Sequence, residues 1–167
     1  NLLSSHDVKR FLNRCGNNQD GILGAIFLQA TFPGIAGVYY GDEVGLGGAD
    51  DPFNREPFPW NNEESWNKTI LEFTKSMMQI KNVNPIFKYG RFELLDYEEN
   101  VVIFRRILQD ESLICIVNRD RITNDIIIPS NSHSIDILYG DCEANLEDGS
   151  VKITKNAGDI GIIVHEQ

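Results

Sequence analysis

The sequence predicts an α/β segment followed by an all-β segment, the latter an antiparallel sandwich. Two patterns carry that expectation. Up to residue 84, apolar stretches at helical and buried-strand spacing alternate, whereas beyond Pro85 the chain turns to short β-type runs separated by turn residues. Composition is the third support: 167 residues with 41% hydrophobic side chains can bury a real core, in one domain or parts of two.

The first seven residues, Asn1-Leu2-Leu3-Ser4-Ser5-His6-Asp7, read as the end of a strand that delivers a His-Asp pair. A polar stretch from Arg14 to Asp20 then gives way to Ile22, Leu23, Ala25, Ile26, Phe27, Leu28 and Ala30, apolar all round as in a buried helix. Thr31-Phe32-Pro33-Gly34 ends that helix, and Ile35 to Tyr40 reads as a buried parallel strand. Gly41 to Asn62 is rich in Gly, Asp, Pro and Asn and is expected to form a long irregular loop, the kind of segment that carries function. Asn62 is expected to cap a second helix with Glu63 and Glu64 in its first turn. Its buried face would be Trp66, Ile70, Phe73, Met77 and Ile80, and Asn84-Pro85 would stop it.

Strands are expected at Phe92–Leu95, Val101–Leu108, Leu113–Val117, Asp125–Ile128, Ser134–Leu138, Val151–Ile153 and Ile160–His165. Turn signals such as Gln109-Asp110-Glu111-Ser112 and Glu147-Asp148-Gly149-Ser150 separate them, at sandwich spacing. The expected division is 1–86 for the α/β segment and 87–167 for the sandwich. No internal repeat or low-complexity tract interrupts it.

A net charge of -10 and a pI near 4.7 disfavour nucleic acid or an anionic membrane surface as partner, because both repel such a chain. A neutral ligand such as a sugar fits better. Cys15, Cys115 and Cys142 are odd in number and widely spaced, which suits reduced, buried thiols and no zinc site. No stretch reaches the roughly 20 apolar residues of a membrane span. Because the chain opens on Asn at the close of a strand, the native N-terminus is expected upstream, and any signal peptide with it. The expected compartment is the cytoplasm rather than the exterior.

Three motifs stand in one order: NLLSSHD at residues 1–7, GVYYGDEVG at 37–45 and DPFNREPFPW at 51–60. With the apolar helix between the first two and the later sandwich, they resemble the α-amylase superfamily of glycoside hydrolases, glycoside hydrolase family 13. Within it the chain is most similar to the neopullulanase, cyclomaltodextrinase and maltogenic amylase group, which shares the HD-x-x-RFL continuation seen from His6 to Leu12. The resemblance implies the last two βα units of a (β/α)8 barrel, with Asn1–Asp7 ending the seventh strand and Ile35–Tyr40 forming the eighth. His6, Asp7 and the 41–62 loop would then lie at the carboxyl face, where such barrels build their sites.

Retaining cleavage of an α-glucosidic bond needs a nucleophilic carboxylate and a carboxylic acid about 5 Å apart. Neither has a motif match here, and the resemblance puts both upstream. It makes Asp7 the third carboxylate, a transition-state stabiliser gripping sugar hydroxyls in the cleavage subsite; the competing reading is a turn or helix-cap residue. His6 would donate to the same sugar. Asp51 and Arg55 match a pair bordering the next glucose on the non-reducing side, or else form a loop-stabilising ion pair. Trp60 is expected to pack rather than present a sugar platform, and Asp42 and Glu43 to support the strand end. Arg10 and Arg14 would pair with nearby acids or stay solvated. Asn61, Glu56 and Phe58 depart from the residues common in the group.

The implied partners are an α-glucan and the upstream barrel portion, with self-association expected from apolar surface left uncovered. No metal site is expected in this chain, although Gly47-Gly48-Ala49-Asp50-Asp51 is a weak calcium candidate, and calcium would belong to the upstream part. Two further readings compete: a non-catalytic sandwich that binds carbohydrate through Phe92, Tyr97 or Tyr139, and a transglycosylase of the same superfamily.

Overall fold

The computed structural model describes residues 1–119, 125–156 and 158–167. They form two compact units, Asn1–Val83 and Asn84–Gln167. Among the described residues no helix is long and apolar enough to cross a membrane.

In the first unit a short helix α1 (Phe11–Arg14) precedes α2 (Gln19–Thr31) and α3 (Lys68–Val83). Asn18 starts α2 by accepting hydrogen bonds from the backbone N–H of Asp20 and Gly21 at 2.9 and 3.3 Å. Ile22, Leu23, Ile26, Phe27 and Ala30 are buried, as the all-round apolar pattern implies, and α2 packs on α3, of which Ile70 and Met77 are buried. Lys81 Nζ from α3 donates to Ala30 O at 2.7 Å and Phe32 O at 3.4 Å. A cation thus sits on the carbonyl end of α2, where the helix dipole favours it.

Two sequence expectations change here. Asn62 does not cap α3: it precedes a 3₁₀ turn at Glu63–Ser65 and makes no side-chain cap bond. The cap is Asn67, whose Oδ1 accepts from Ile70 N at 3.1 Å. Nor do Asn1–Asp7 and Ile35–Tyr40 form a ladder; Leu2 and Gly37 share a single parallel bridge. The Gln29 side chain takes up the neighbouring carbonyls, donating from Nε2 to Asn1 O at 3.0 Å and Gly37 O at 2.7 Å. A buried side-chain amide therefore does what further ladder bonds would do.

The second unit opens with α4 (Pro85–Tyr89) and continues as eight strands: β1 (Arg91–Tyr97), β2 (Val101–Leu108), β3 (Glu111–Asn118), β4 (Asp125–Pro129), β5 (Ile135–Tyr139), β6 (Cys142–Glu147), β7 (Ser150–Lys155) and β8 (Gly161–Glu166). They make a five-stranded sheet in the order β1-β2-β3-β8-β5 and a three-stranded sheet in the order β4-β7-β6. Every pairing is antiparallel. Ile103, Ile114, Ile116, Ile162 and Val164 from the first sheet meet Ile128, Val151 and Ile153 from the second in one apolar core. This is the expected sandwich, with β6 added.

Turn chemistry fixes the β6–β7 hairpin. Glu147 pairs with Ser150, and Gly149 between them has φ 72°, a conformation glycine adopts without a Cβ penalty. Arg106 points to the other face of β2, where Nη2 donates to Gly90 O at 2.7 Å and Phe87 O at 3.3 Å and so closes the end of α4.

Candidate functional site

His6 and Asp7 occupy the tip of a four-residue turn closed by an antiparallel bridge between Ser5 and Val8. Asp7 N donates to Ser5 Oγ at 3.1 Å. The two side chains point outward, 64% and 72% exposed, and His6 Nε2 lies 3.2 Å from Asp7 Oδ1. Solvated as they are, both keep their hydrogen-bonding capacity for a ligand.

The 41–62 loop returns to this turn. Arg55 Nε lies 2.9 Å from Asp51 Oδ1 and also donates to His6 O at 3.1 Å. That shared donor joins the Asp51–Arg55 pair to the His6–Asp7 pair, so all four predicted residues belong to one exposed polar surface. Arg55 and Asp51 are 50% and 65% exposed, which leaves the rest of the guanidinium open to solvent.

Beneath the turn lies a buried layer. Ser4 Oγ donates to Asp42 Oδ1 at 2.8 Å and accepts from Phe11 N at 2.9 Å. Arg10 Nη1 is 3.6 Å from Asp42 Oδ1 and donates to Tyr40 O, while its guanidinium carbon sits 4.2 and 4.6 Å from the ring centres of Tyr39 and Tyr40. Burial pushes the Asp42 carboxyl up to about 6, and the Ser4 hydrogen bond and Arg10 charge only partly oppose it. Asp42 thus supports the chain where Tyr40 leads into the loop, and Glu43 helps by accepting from Gly41 N at 2.7 Å.

Other residues sharpen or depart from the sequence reading. Of the two readings of Arg10, pairing with a nearby acid or solvation, the structure shows the first, with the fully buried side chain 3.6 Å from Asp42. Trp60 does not pack away; it is 72% exposed and touches Phe58 with ring centres 4.4 Å apart. Cys15 is half-buried rather than buried, whereas Cys115 and Cys142 are buried, and all three are free thiols. Asn54 and Ser4 lie inside two of the motifs but are not singled out there, since their contacts reach residues 38 to 48 positions away.

Among the described residues no three or more His, Cys, Asp or Glu side chains converge as metal ligands would. In the calcium candidate, Asp50 pairs with Lys9 at 3.2 Å and Asp51 with Arg55, so the two carboxylates serve cations already present.

An α/β unit with exposed acid, imidazole and guanidinium groups on its loops, followed along the chain by a β-sandwich, has the fold of solved α-amylase-type glycoside hydrolases. No family model matches the chain. Neopullulanase 2 of Thermoactinomyces vulgaris is 32% identical over 160 residues, covering 92% of this chain and 27% of that protein. A cyclomaltodextrinase of Thermoanaerobacter pseudethanolicus is 36% identical over 138 residues, covering 83% and 24% respectively. The solved debranching enzyme of Nostoc punctiforme superposes with a TM-score of 0.85 at 31% identity, over 98% of this chain and 35% of that one. The resemblance read from the three motifs therefore holds: over the matched region the chain is similar to the neopullulanase and cyclomaltodextrinase group of the α-amylase superfamily. It spans about a quarter of the length of these two curated relatives.

Proposed function

We propose that this chain supplies the sugar-gripping part of an α-glucan hydrolase site and does not cleave glucan by itself. The observation that carries the proposal is the Arg55 donor that ties Asp51 and the His6–Asp7 turn into one exposed polar surface. In this reading the first unit is the last two βα units of a (β/α)8 barrel, with 1–7 and 35–40 at the seventh and eighth strand positions. The nucleophile, the acid and any calcium belong to an upstream portion of a longer cytoplasmic polypeptide. That the chain spans only a quarter of its relatives supports such a division.

Asp7 acts as a transition-state stabiliser. Its carboxylate accepts hydrogen bonds from sugar hydroxyls, and these tighten as the ring flattens and positive charge develops toward the oxocarbenium ion. His6 donates from its imidazole to the same sugar, and the His6–Asp7 contact keeps the two aimed together. Asp51 and Arg55 hold the next glucose on the non-reducing side, the acid accepting and the guanidinium donating in fixed geometry. The substrate class is an α-glucan, as the names neopullulanase and cyclomaltodextrinase state for the relatives.

A competing reading makes the sandwich the binding unit, because Tyr97 at the end of β1 is 71% exposed. One experiment separates the two. Incubated with maltooligosaccharides or cyclodextrin, the chain is expected to release no sugar; turnover abolished by Asp7→Asn would overturn the proposal. Calorimetric titration with maltoheptaose is expected to show binding that Asp7→Ala weakens roughly tenfold or more, the loss of a charged hydrogen bond. Binding that survives Asp7→Ala and fails on Tyr97→Ala would assign it to the sandwich instead.

A further inference from the structure

We infer that Asn54 is a positioning residue for Asp7, holding the peptide on both sides of it so that its carboxylate stays aimed outward. The inference rests on the reading of Asp7 as the sugar-gripping carboxylate and adds how that group is fixed. Asn54 is only 1% exposed, although Phe53 and Arg55 on either side are exposed. It cannot touch a ligand, so its effect on the site must run through the backbone it holds.

Its contacts straddle Asp7. Nδ2 donates to His6 O at 2.9 Å and to Val8 O at 3.2 Å, so both amide hydrogens are spent, one on each flank. Arg55 Nε reaches the same His6 carbonyl at 3.1 Å, and Ser5 Oγ holds Asp7 N. With the Ser5–Val8 bridge, the turn is fixed at its entry, its tip and its exit. Among the described residues only Asn54 reaches the exit carbonyl by a side chain.

The orientation of this amide follows from its surroundings. Exchanging Oδ1 and Nδ2 would set an oxygen against two carbonyl oxygens, whereas Oδ1 as placed has no hydrogen-bond partner to lose. The approach of the loop depends on Gly48, where a Cβ would lie 2.5 Å from Phe53 O and 3.0 Å from Asn54 Cα. A small residue at 48 therefore lets the loop seat Asn54 under the turn.

The test uses isotope-labelled full chain in solution. Scalar couplings across the hydrogen bonds, from Asn54 Nδ2 to the carbonyl carbons of His6 and Val8, are expected in the unaltered protein; absence of both overturns the inference without any variant having to fold. Asn54→Asp keeps the volume but faces a carboxylate to two carbonyl oxygens. Near pH 8 backbone order parameters over residues 6–8 are expected to fall from about 0.85 to below about 0.6, with those of α2 and α3 unchanged. Protonating that buried carboxyl at about pH 5 supplies an O–H donor again, so order should return in Asn54→Asp and not in Asn54→Ala. Order that persists in Asn54→Asp near pH 8 overturns the positioning role. Maltoheptaose titration is a separate arm: order lost as expected, in a chain that never binds the sugar, upholds the role of Asn54 and removes the glucan reading of Asp7.

Discussion

The Arg10 guanidinium is fully buried, and its Nε and Nη2 make no hydrogen bond, so its charge is met by the Asp42 carboxylate and by the faces of Tyr39 and Tyr40. Asp42 bears the cost of that arrangement. Its carboxyl titrates at about 6 in the fold against an ordinary 3.8, so between those values the folded state binds the extra proton. The stability this supplies is complete below about pH 4, falls as pH rises through 6, and is gone above it. Asp42→Asn cannot titrate and keeps an acceptor for Ser4. The difference in unfolding free energy, wild type minus Asp42→Asn, is therefore expected to drop by up to about 3 kcal/mol between pH 4 and 7, measured by urea titration. A difference that stays flat across that window would refute the assignment. At this scale His6, Asp7, Asp51 and Arg55 are singled out through the three motifs and the resemblance those motifs carry, and the structure places all four at the surface. Asn54 and Ser4 are not singled out, because an amide or hydroxyl acquires its role only from the distant carbonyl or carboxylate it meets.

The elements show the same division between local and distant causes. The start of α3 differs because Asn62 followed by two glutamates offers a cap residue and first-turn acids, and those acids instead open a 3₁₀ turn. Asn67 wins through contacts outside the helix: its N–H donates to Val44 O at 3.0 Å and its Nδ2 to Gln19 Oε1 at 2.8 Å, which orients Oδ1 toward Ile70 N. Asn67→Ala is expected to cost about 1 kcal/mol and Asn62→Ala less than about 0.5 kcal/mol, read as shifts in denaturant midpoint at unchanged slope. Equal effects would return the cap to Asn62. Strand β6 went unread for a related reason. Cys142-Glu143-Ala144-Asn145-Leu146-Glu147 has no β-branched residue, and its extended form is imposed by the ladder to β7, from Cys142–Lys155 to Glu147–Ser150. Where runs of Ile and Val carry the core, as in β3 and β8, sequence and structure agree to within two residues at each end.

Across the whole molecule two surface properties oppose each other. The first unit leaves Ile35 85%, Trp60 72%, Leu2 66% and Phe53 58% exposed. Leu2 and Gly37 add backbone that pairs at one bridge only and can accept a further strand. Burying such side chains is favourable by roughly 1.5–3 kcal/mol each, enough for several together to drive association. Against this stands a net charge of -10, which repels a second copy over the distance that salt allows. The screening length is about 30 Å at 0.01 M salt and about 3 Å at 1 M, so added salt removes the repulsion and leaves the apolar attraction intact. The chain is therefore expected to self-associate, with a light-scattering mass that rises with protein concentration and rises further with salt across that range. Ile35→Lys combined with Trp60→Lys should return it to the monomer mass at high salt. Association that weakens as salt is added would assign it to charge pairing, and a monomer at every salt concentration would refute self-association.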